Sequence, residues 1–232
     1  MIVCAVCGTG NADLAVICVS CRGYLQSKVD ALDLFTTAWT VIESPVRAFR
    51  KIALATHKNY TLVLASLFGI MWAYTALWVS KGSTWIPNLF VLLVTGLFLG
   101  PILGIAGLLC LVAMSNAFGR RMGGKGNFRN LLALMAYAMI PFILSLIFII
   151  PVDIGVFGLS FFGSPPTPWE LKPTIYGTLL FLHGGCILWS LWLLVKASVV
   201  GHEVSPWKGI CIALFVGMFL SAASFLPLIF QG

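Results

Sequence analysis

The sequence predicts an all-α membrane protein: a five-transmembrane-helix bundle, preceded by amphipathic interfacial helices and a small N-terminal cysteine knuckle. Three observations predict it. Of 232 residues, 60% are hydrophobic and 9% charged, and the mean hydropathy is +1.02. Soluble domains carry about 25% charged residues, so most of this chain is not built for water. Five apolar runs are each long enough to cross about 30 Å of hydrocarbon, which takes roughly 20 helical residues. Ahead of them, four cysteines crowd the N-terminus as Cys4-x2-Cys7 and Cys18-x2-Cys21.

A doubled Cys-x2-Cys offers four soft thiolates that can close a tetrahedron around one Zn²⁺. The stretch between Cys7 and Cys18 is long enough for a hairpin that brings the two pairs face to face. Gly8 supplies backbone freedom after the first pair; after the second come Arg22 and then Gly23, a glycine shifted by one. Residues 1–25 are therefore expected to form a zinc-ribbon knuckle with almost no core, folded by its metal. Four thiolates leave no open coordination position, so the zinc is expected to be structural. Redox-active pairs and incidental cysteines are the competing readings. No basic start followed by an apolar stretch and a cleavage site marks the N-terminus. Residues 1–59 are accordingly expected in the reducing cytosol, where disulfides are rare.

Residues 26–59 form the second unit. Leu32, Phe35, Trp39, Ile42, Val46, Phe49 and Ala53 recur in three- and four-residue steps, the stripe of an amphipathic helix. Ser44-Pro45 interrupts it as an N-cap and a first-turn proline, so two consecutive helices are expected. The second carries Arg47, Arg50, Lys51 and Lys58 off the stripe. Such a helix can lie among lipid headgroups or pack on the protein's own bundle, and at the edge it can do both.

The membrane domain is expected over 60–230, with spans near Tyr60–Val79, Asn88–Met114, Leu131–Val152, Thr174–Val200 and Gly209–Ile229. Helices are required, since open strands cannot satisfy their backbone in lipid. Lys196 near the end of the fourth can snorkel to the interface. The net charge of +7, from 14 Lys and Arg against 7 Asp and Glu, is concentrated beside the spans. It therefore reads as topology and not as nucleic-acid binding. Arg47, Arg50, Lys51 and Lys58 precede the first span; Arg120, Arg121, Lys125 and Arg129 follow the second; Lys196 and Lys208 flank the turn between the fourth and fifth. The other two loops hold one lysine each, Lys81 and Lys172. This asymmetry puts the N-terminus in the cytoplasm and the C-terminus outside.

Inside the membrane, Gly96, Gly100 and Gly104 share one helix face and invite a close helix approach. Pro101 and Pro141 are expected to kink their helices. Cys110, Cys186 and Cys211 read as small apolar packers. His183, followed by Gly184-Gly185, is the ionisable group nearest mid-bilayer. Three readings stay open: an imidazole bonded to a neighbouring helix, an axial ligand to haem or pigment, and a relay for protons or substrate. Asp153 and Glu170 fall in an expected outer loop with Phe157, Phe161, Phe162 and Trp169, aromatic enough for the interface.

The run from Gly119 through Gly123-Gly124-Lys125-Gly126-Asn127-Phe128-Arg129 to Tyr137-Ala138 and Pro141 resembles the Yip1 domain of multi-spanning membrane proteins. That family has a glycine-rich turn ending in an aromatic and a basic residue, then an apolar helix reaching Y-A-x-x-P. Further likenesses are Pro45-Val-Arg-Ala-Phe49, Leu188-Trp-Ser-Leu191 and His202-Glu-Val-Ser205, and the resemblance covers about 40–230. It implies a five-span fold, and prokaryotic members often carry an N-terminal zinc ribbon. Eukaryotic relatives act in vesicle trafficking and bind small GTPases, a role that need not transfer. Read for its own chemistry, the glycine turn lacks the G-x4-G-K-[ST] of a nucleotide loop. Its Arg120, Arg121, Lys125 and Arg129 suit anionic lipid headgroups, or merely hold a plain turn inside.

No catalytic constellation can be assembled, so no enzyme is expected. Three functions remain. One is a non-enzymatic membrane scaffold or adaptor whose ribbon and basic loops engage protein partners and the membrane surface. Another is an accessory subunit of a respiratory or photosynthetic complex, with His183 as a pigment or haem ligand. The third is a transporter or channel, disfavoured by scarce intramembrane charge. The expected location is a prokaryotic plasma membrane.

Overall fold

In the computed structural model, residues 2–12, 14–26 and 29–229 are described. The C-terminal residue Gly232 lies outside them. The ribbon is a pair of small turns, the first closed by β1 (Ile2–Val3) and β2 (Gly10–Asn11), which pair antiparallel, and the second by an antiparallel bridge between Ile17 and Tyr24. A linker then reaches β3 (Val29–Ala31), which pairs in parallel with β4 (Ala55–His57). Between those strands lie two short helices, α1 (Leu34–Glu43) and α2 (Pro45–Leu54). The Asp33 side chain caps α1 by accepting from the Thr36 amide at 2.8 Å. Pro45 opens α2 at its first position, as the sequence suggests.

The amphipathic stripe does not pack as one face. Val41, Ala48, Phe49 and Ile52 are buried against the bundle, whereas Phe35 and Trp39 are 83% and 67% exposed. The break at Ser44 resets the helical phase, so α2 presents Phe49 and Ala53 inward while the aromatics of α1 face out. Lys58 also departs from expectation. It lies beyond α2 and folds back, donating to the Ile52, Ala53 and Ala55 carbonyls at 2.7, 3.2 and 3.1 Å. A cation on the last carbonyls of a helix is where the backbone dipole favours it.

Among the described residues, five segments are long and apolar enough to cross a membrane: Thr61–Val79, Leu89–Arg121, Phe128–Phe162, Pro173–His202 and Pro206–Ser224. The first is α3 (Thr61–Val79) and the second α4 (Leu89–Arg121). The third is in pieces: α5 (Phe128–Ala138), α6 (Ile140–Phe148) and α7 (Ile150–Phe157), ending in a 3₁₀ turn over Gly158–Phe162. A single turn, α8 (Pro168–Leu171), precedes α9 (Pro173–His202) and α10 (Pro206–Ile229). In its most apolar stretch the third span is 72% buried, against 22% for the second, fourth and fifth, so the others gather around it.

Its breaks fall at Met139 and Ile149, each followed two residues later by a proline, Pro141 and Pro151. Proline has no amide hydrogen and its ring clashes with the carbonyl four residues back, so the helix breaks and restarts there. Pro101 behaves differently, because α4 continues through it as one helix. Gly100 and Gly104 of α4 lie against Gly69 of α3 so closely that any β-carbon there would overlap backbone. The expected small-residue contact is thus the α3–α4 seam.

The segment after Val152 is not an interfacial loop. The helix persists through Phe157, and Phe157, Phe161 and Phe162 are buried against Tyr74, Trp78 and Tyr176. These rings close one end of the bundle, because the ends of α3 and α9 offer aromatic partners at 5.6–6.3 Å between centroids. Trp169 alone of the four expected aromatics is exposed, at 54%. Glu170 accepts from the Thr167 amide at 2.7 Å and caps α8.

Candidate metal centre and interlocked loops

The ribbon is built from two copies of one turn. Gly8 N–H donates to Cys4 C=O at 2.9 Å, and Arg22 N–H to Cys18 C=O at 3.1 Å. Cys4 N–H donates to Thr9 C=O at 3.0 Å, and Cys18 N–H to Gly23 C=O at 2.9 Å. Arg22 therefore stands where the first turn has Gly8, with φ of +58° against +70°. The shifted glycine leaves the left-handed place to an arginine, which a β-carbon disfavours. Gly23 N–H points at Cys21 Sγ from 3.4 Å.

The turns bring Cys4, Cys7, Cys18 and Cys21 together with all four sulfurs within 4.8 Å of one another. Cys4–Cys21 and Cys7–Cys18 are each 3.5 Å apart, with no disulfide. A tetrahedron with metal–sulfur bonds of about 2.3 Å has edges of about 3.8 Å, so the four fit one ion. Thr9 Oγ1 lies 3.3 Å from Cys7 Sγ. Hydrogen bonding from the Thr9 hydroxyl and then its amide draws the Cys7 thiol down to about 6, toward the thiolate a metal needs. Asn11, not singled out by sequence, joins the turns. It is buried, donates to Thr9 C=O at 2.8 Å and accepts from Val19 N–H at 2.9 Å.

At the same end of the bundle, the glycine-rich turn is docked and not a plain loop. Gly123 takes φ +83°, with Gly124 N–H on Gly119 C=O at 2.9 Å and Gly123 N–H on Arg120 C=O at 3.0 Å. That pattern ends α4 as a Schellman turn. Gly126 is glycine for another reason: the ring of His202, at the end of α9, occupies the place of its β-carbon. His202 is fully buried, and its Nε2 lies 3.1 Å from Ser115 Oγ. Lys125 N–H donates to His202 C=O at 2.9 Å, and Lys208 Nζ to Met122 C=O at 2.6 Å. Asn127 then caps α5, accepting from the Arg129 amide at 2.9 Å. Arg129 reaches Thr56 C=O at 3.2 Å, while Arg120, Arg121 and Lys125 stay exposed.

His183 has the neighbouring-helix partner that the first of its three readings requires. Its Nε2 lies 2.7 Å from Asp153 Oδ2, and the Asp153 side chain is 1% exposed. Asp153 is thus helical and internal, not a solvated end of the third span. The sequence hid this pair because a carboxylate directly after the apolar run to Val152 reads as the solvated end of the span.

Fold and cysteine cluster define a multi-pass, helical membrane protein that contacts the bilayer and carries a metal-competent thiolate cluster ahead of its spans. Residues 39–226 match the model of the Yip1 domain, and the chain belongs to that family. No curated protein and no solved structure matches it.

Proposed function

We propose that the protein is a non-enzymatic membrane scaffold whose ribbon holds a structural Zn²⁺ and docks a protein partner. The carrying observation is the ribbon's surface. Val6, Val19 and Tyr24 are 78%, 78% and 83% exposed on a module whose buried apolar side chains, among the described residues, are those of Cys4 and Cys18. Exposed apolar side chains clustered on so small a unit suit a partner surface. Four thiolates saturate the ion and leave nothing for catalysis. The charge asymmetry supports a cytoplasmic ribbon, Gly119–Asn130 turn and Gly201–Lys208 turn with the C-terminus outside, and the N-terminal ribbon, a feature of prokaryotic family members, supports a prokaryotic plasma membrane. There Arg120, Arg121, Lys125 and Arg129 meet anionic headgroups, and exposed Phe35 and Trp39 sit at the lipid boundary.

The test is photo-crosslinking in native membranes from positions 6 and 24. One defined adduct, lost in Cys4→Ser/Cys21→Ser protein, is expected. An unchanged set of co-purifying proteins after removal of residues 1–25 would overturn the reading. Cysteine labelling that finds position 125 outside would overturn the topology.

A further inference from the structure

We propose that the Asp153–His183 pair forms a lipid-accessible site for a membrane-dissolved phenol or hydroquinone, its ring hydroxyl donating to His183 Nδ1. The pair itself demands an explanation. A buried carboxylate held by a single neutral imidazole contributes little net stability, and an apolar replacement often serves packing better. Here Asp153 Oδ1 is in addition buried without a partner, which costs further. Ionisable groups held at membrane depth mark sites.

The surroundings define the ligand. His183 opens on a hollow of about 170 Å³ walled by Tyr74, Trp78, Phe142 and Phe161. An apolar cavity of about 150 Å³ accepts benzene, so one six-membered ring fits. The wall's other polar groups are taken: Tyr74 O–H donates to Leu93 C=O, Trp78 N–H to Tyr176, and Thr75 O–H to Met71 C=O. That leaves the imidazole to select the ligand. With Nε2–H given to Asp153, Nδ1 presents a lone pair, and among the described residues it has no hydrogen-bond partner. The carboxylate behind it strengthens that acceptor. A hydroxyl on an aromatic ring is the matching donor.

The tail has a path as well. A second apolar hollow of about 130 Å³, toward α10, shares Thr75, Phe142 and Ile187 with the first. Gly184 lines the first hollow, and nothing lies within 4 Å of where its β-carbon would stand, which leaves the hollow a mouth on that side. The site is independent of the scaffold reading and involves no bond making or electron transfer.

The test uses the full chain in phosphatidylcholine nanodiscs, titrated calorimetrically with decylhydroquinone against empty discs. Saturable binding of one ligand per chain is expected, about tenfold weaker for His183→Leu and weakened for Asp153→Asn. Decylbenzene, which has the tail and ring without the hydroxyl, should bind about tenfold more weakly. Gly184→Leu fills the mouth where space is free, so it should fold and lose binding. The proposal is overturned if decylbenzene matches decylhydroquinone, if folded Gly184→Leu binds normally, or if folded wild-type protein shows no saturable binding.

Discussion

The amide of Phe142 donates to the hydroxyl of Ser190 at 3.0 Å, tying the broken third span to the fourth. Met139 and Pro141 interrupt the helix and leave that amide without an intrahelical acceptor. In hydrocarbon such a group must find another partner. The Tyr137-Ala-x-x-Pro141 element and the Leu188-Trp-Ser-Leu191 element, far apart in sequence, are therefore two halves of one contact. Ser190→Ala is expected to cost about 1–3 kcal/mol by orphaning the amide. Ser190→Thr, which keeps the hydroxyl, should lose less. Unfolding in mixed detergent micelles measures both.

His202 and Gly126 form a second interlock. Gly126→Ala should be destabilising by about 1–3 kcal/mol, because the added methyl must displace a ring enclosed on every side. Pairing it with His202→Ala should recover part of that loss. A double-mutant cycle showing strict additivity would refute the direct contact.

Metal analysis of the purified chain should give about one zinc per protein. Cys4→Ser or Cys21→Ser should abolish it and expose the ribbon to protease, since metal binding supplies most of the folding energy of so small a module. Metal-free wild-type protein that resists protease equally would sink the assignment.

Arg22→Gly should strengthen the ribbon. Arg22 holds φ +58° at an exposed place where the sister turn has Gly8. Removing the β-carbon relieves up to about 1 kcal/mol. The readout is slower zinc loss to a competing chelator, with Gly8→Arg moving in the opposite direction.

Lys58 supplies a pH dependence. Burial, and then the nearby Arg129 charge, pushes its ammonium down to about 8. The unfolded chain keeps that proton up to the ordinary lysine value of about 10.5, so it binds more protons than the fold in between. Stability should therefore rise with pH from about 8 to about 10.5. Lys58→Gln should flatten that rise relative to wild type; identical slopes would exclude the effect.

Much of this protein is legible in one dimension. Apolar runs of the right length mark five crossings because lipid tolerates only helices that satisfy their own backbone. Cys4, Cys7, Cys18 and Cys21 announce their cluster because metal-ligand spacing is a local property. What sequence could not show was which buried groups meet. Asp153 reads as a loop residue until α7 carries it to His183 on α9. The stripe of Phe35, Trp39 and Phe49 reads equally as facing headgroups or the bundle until the break at Ser44 turns Phe35 and Trp39 outward and leaves Phe49 inside. Gly126 reads as a flexible turn until His202, 76 positions later in the chain, takes the space its side chain would need. Composition and period report the solvent each segment prefers. Partners across the bundle depend on where helices break and how closely they approach, and only the packed chain decides that.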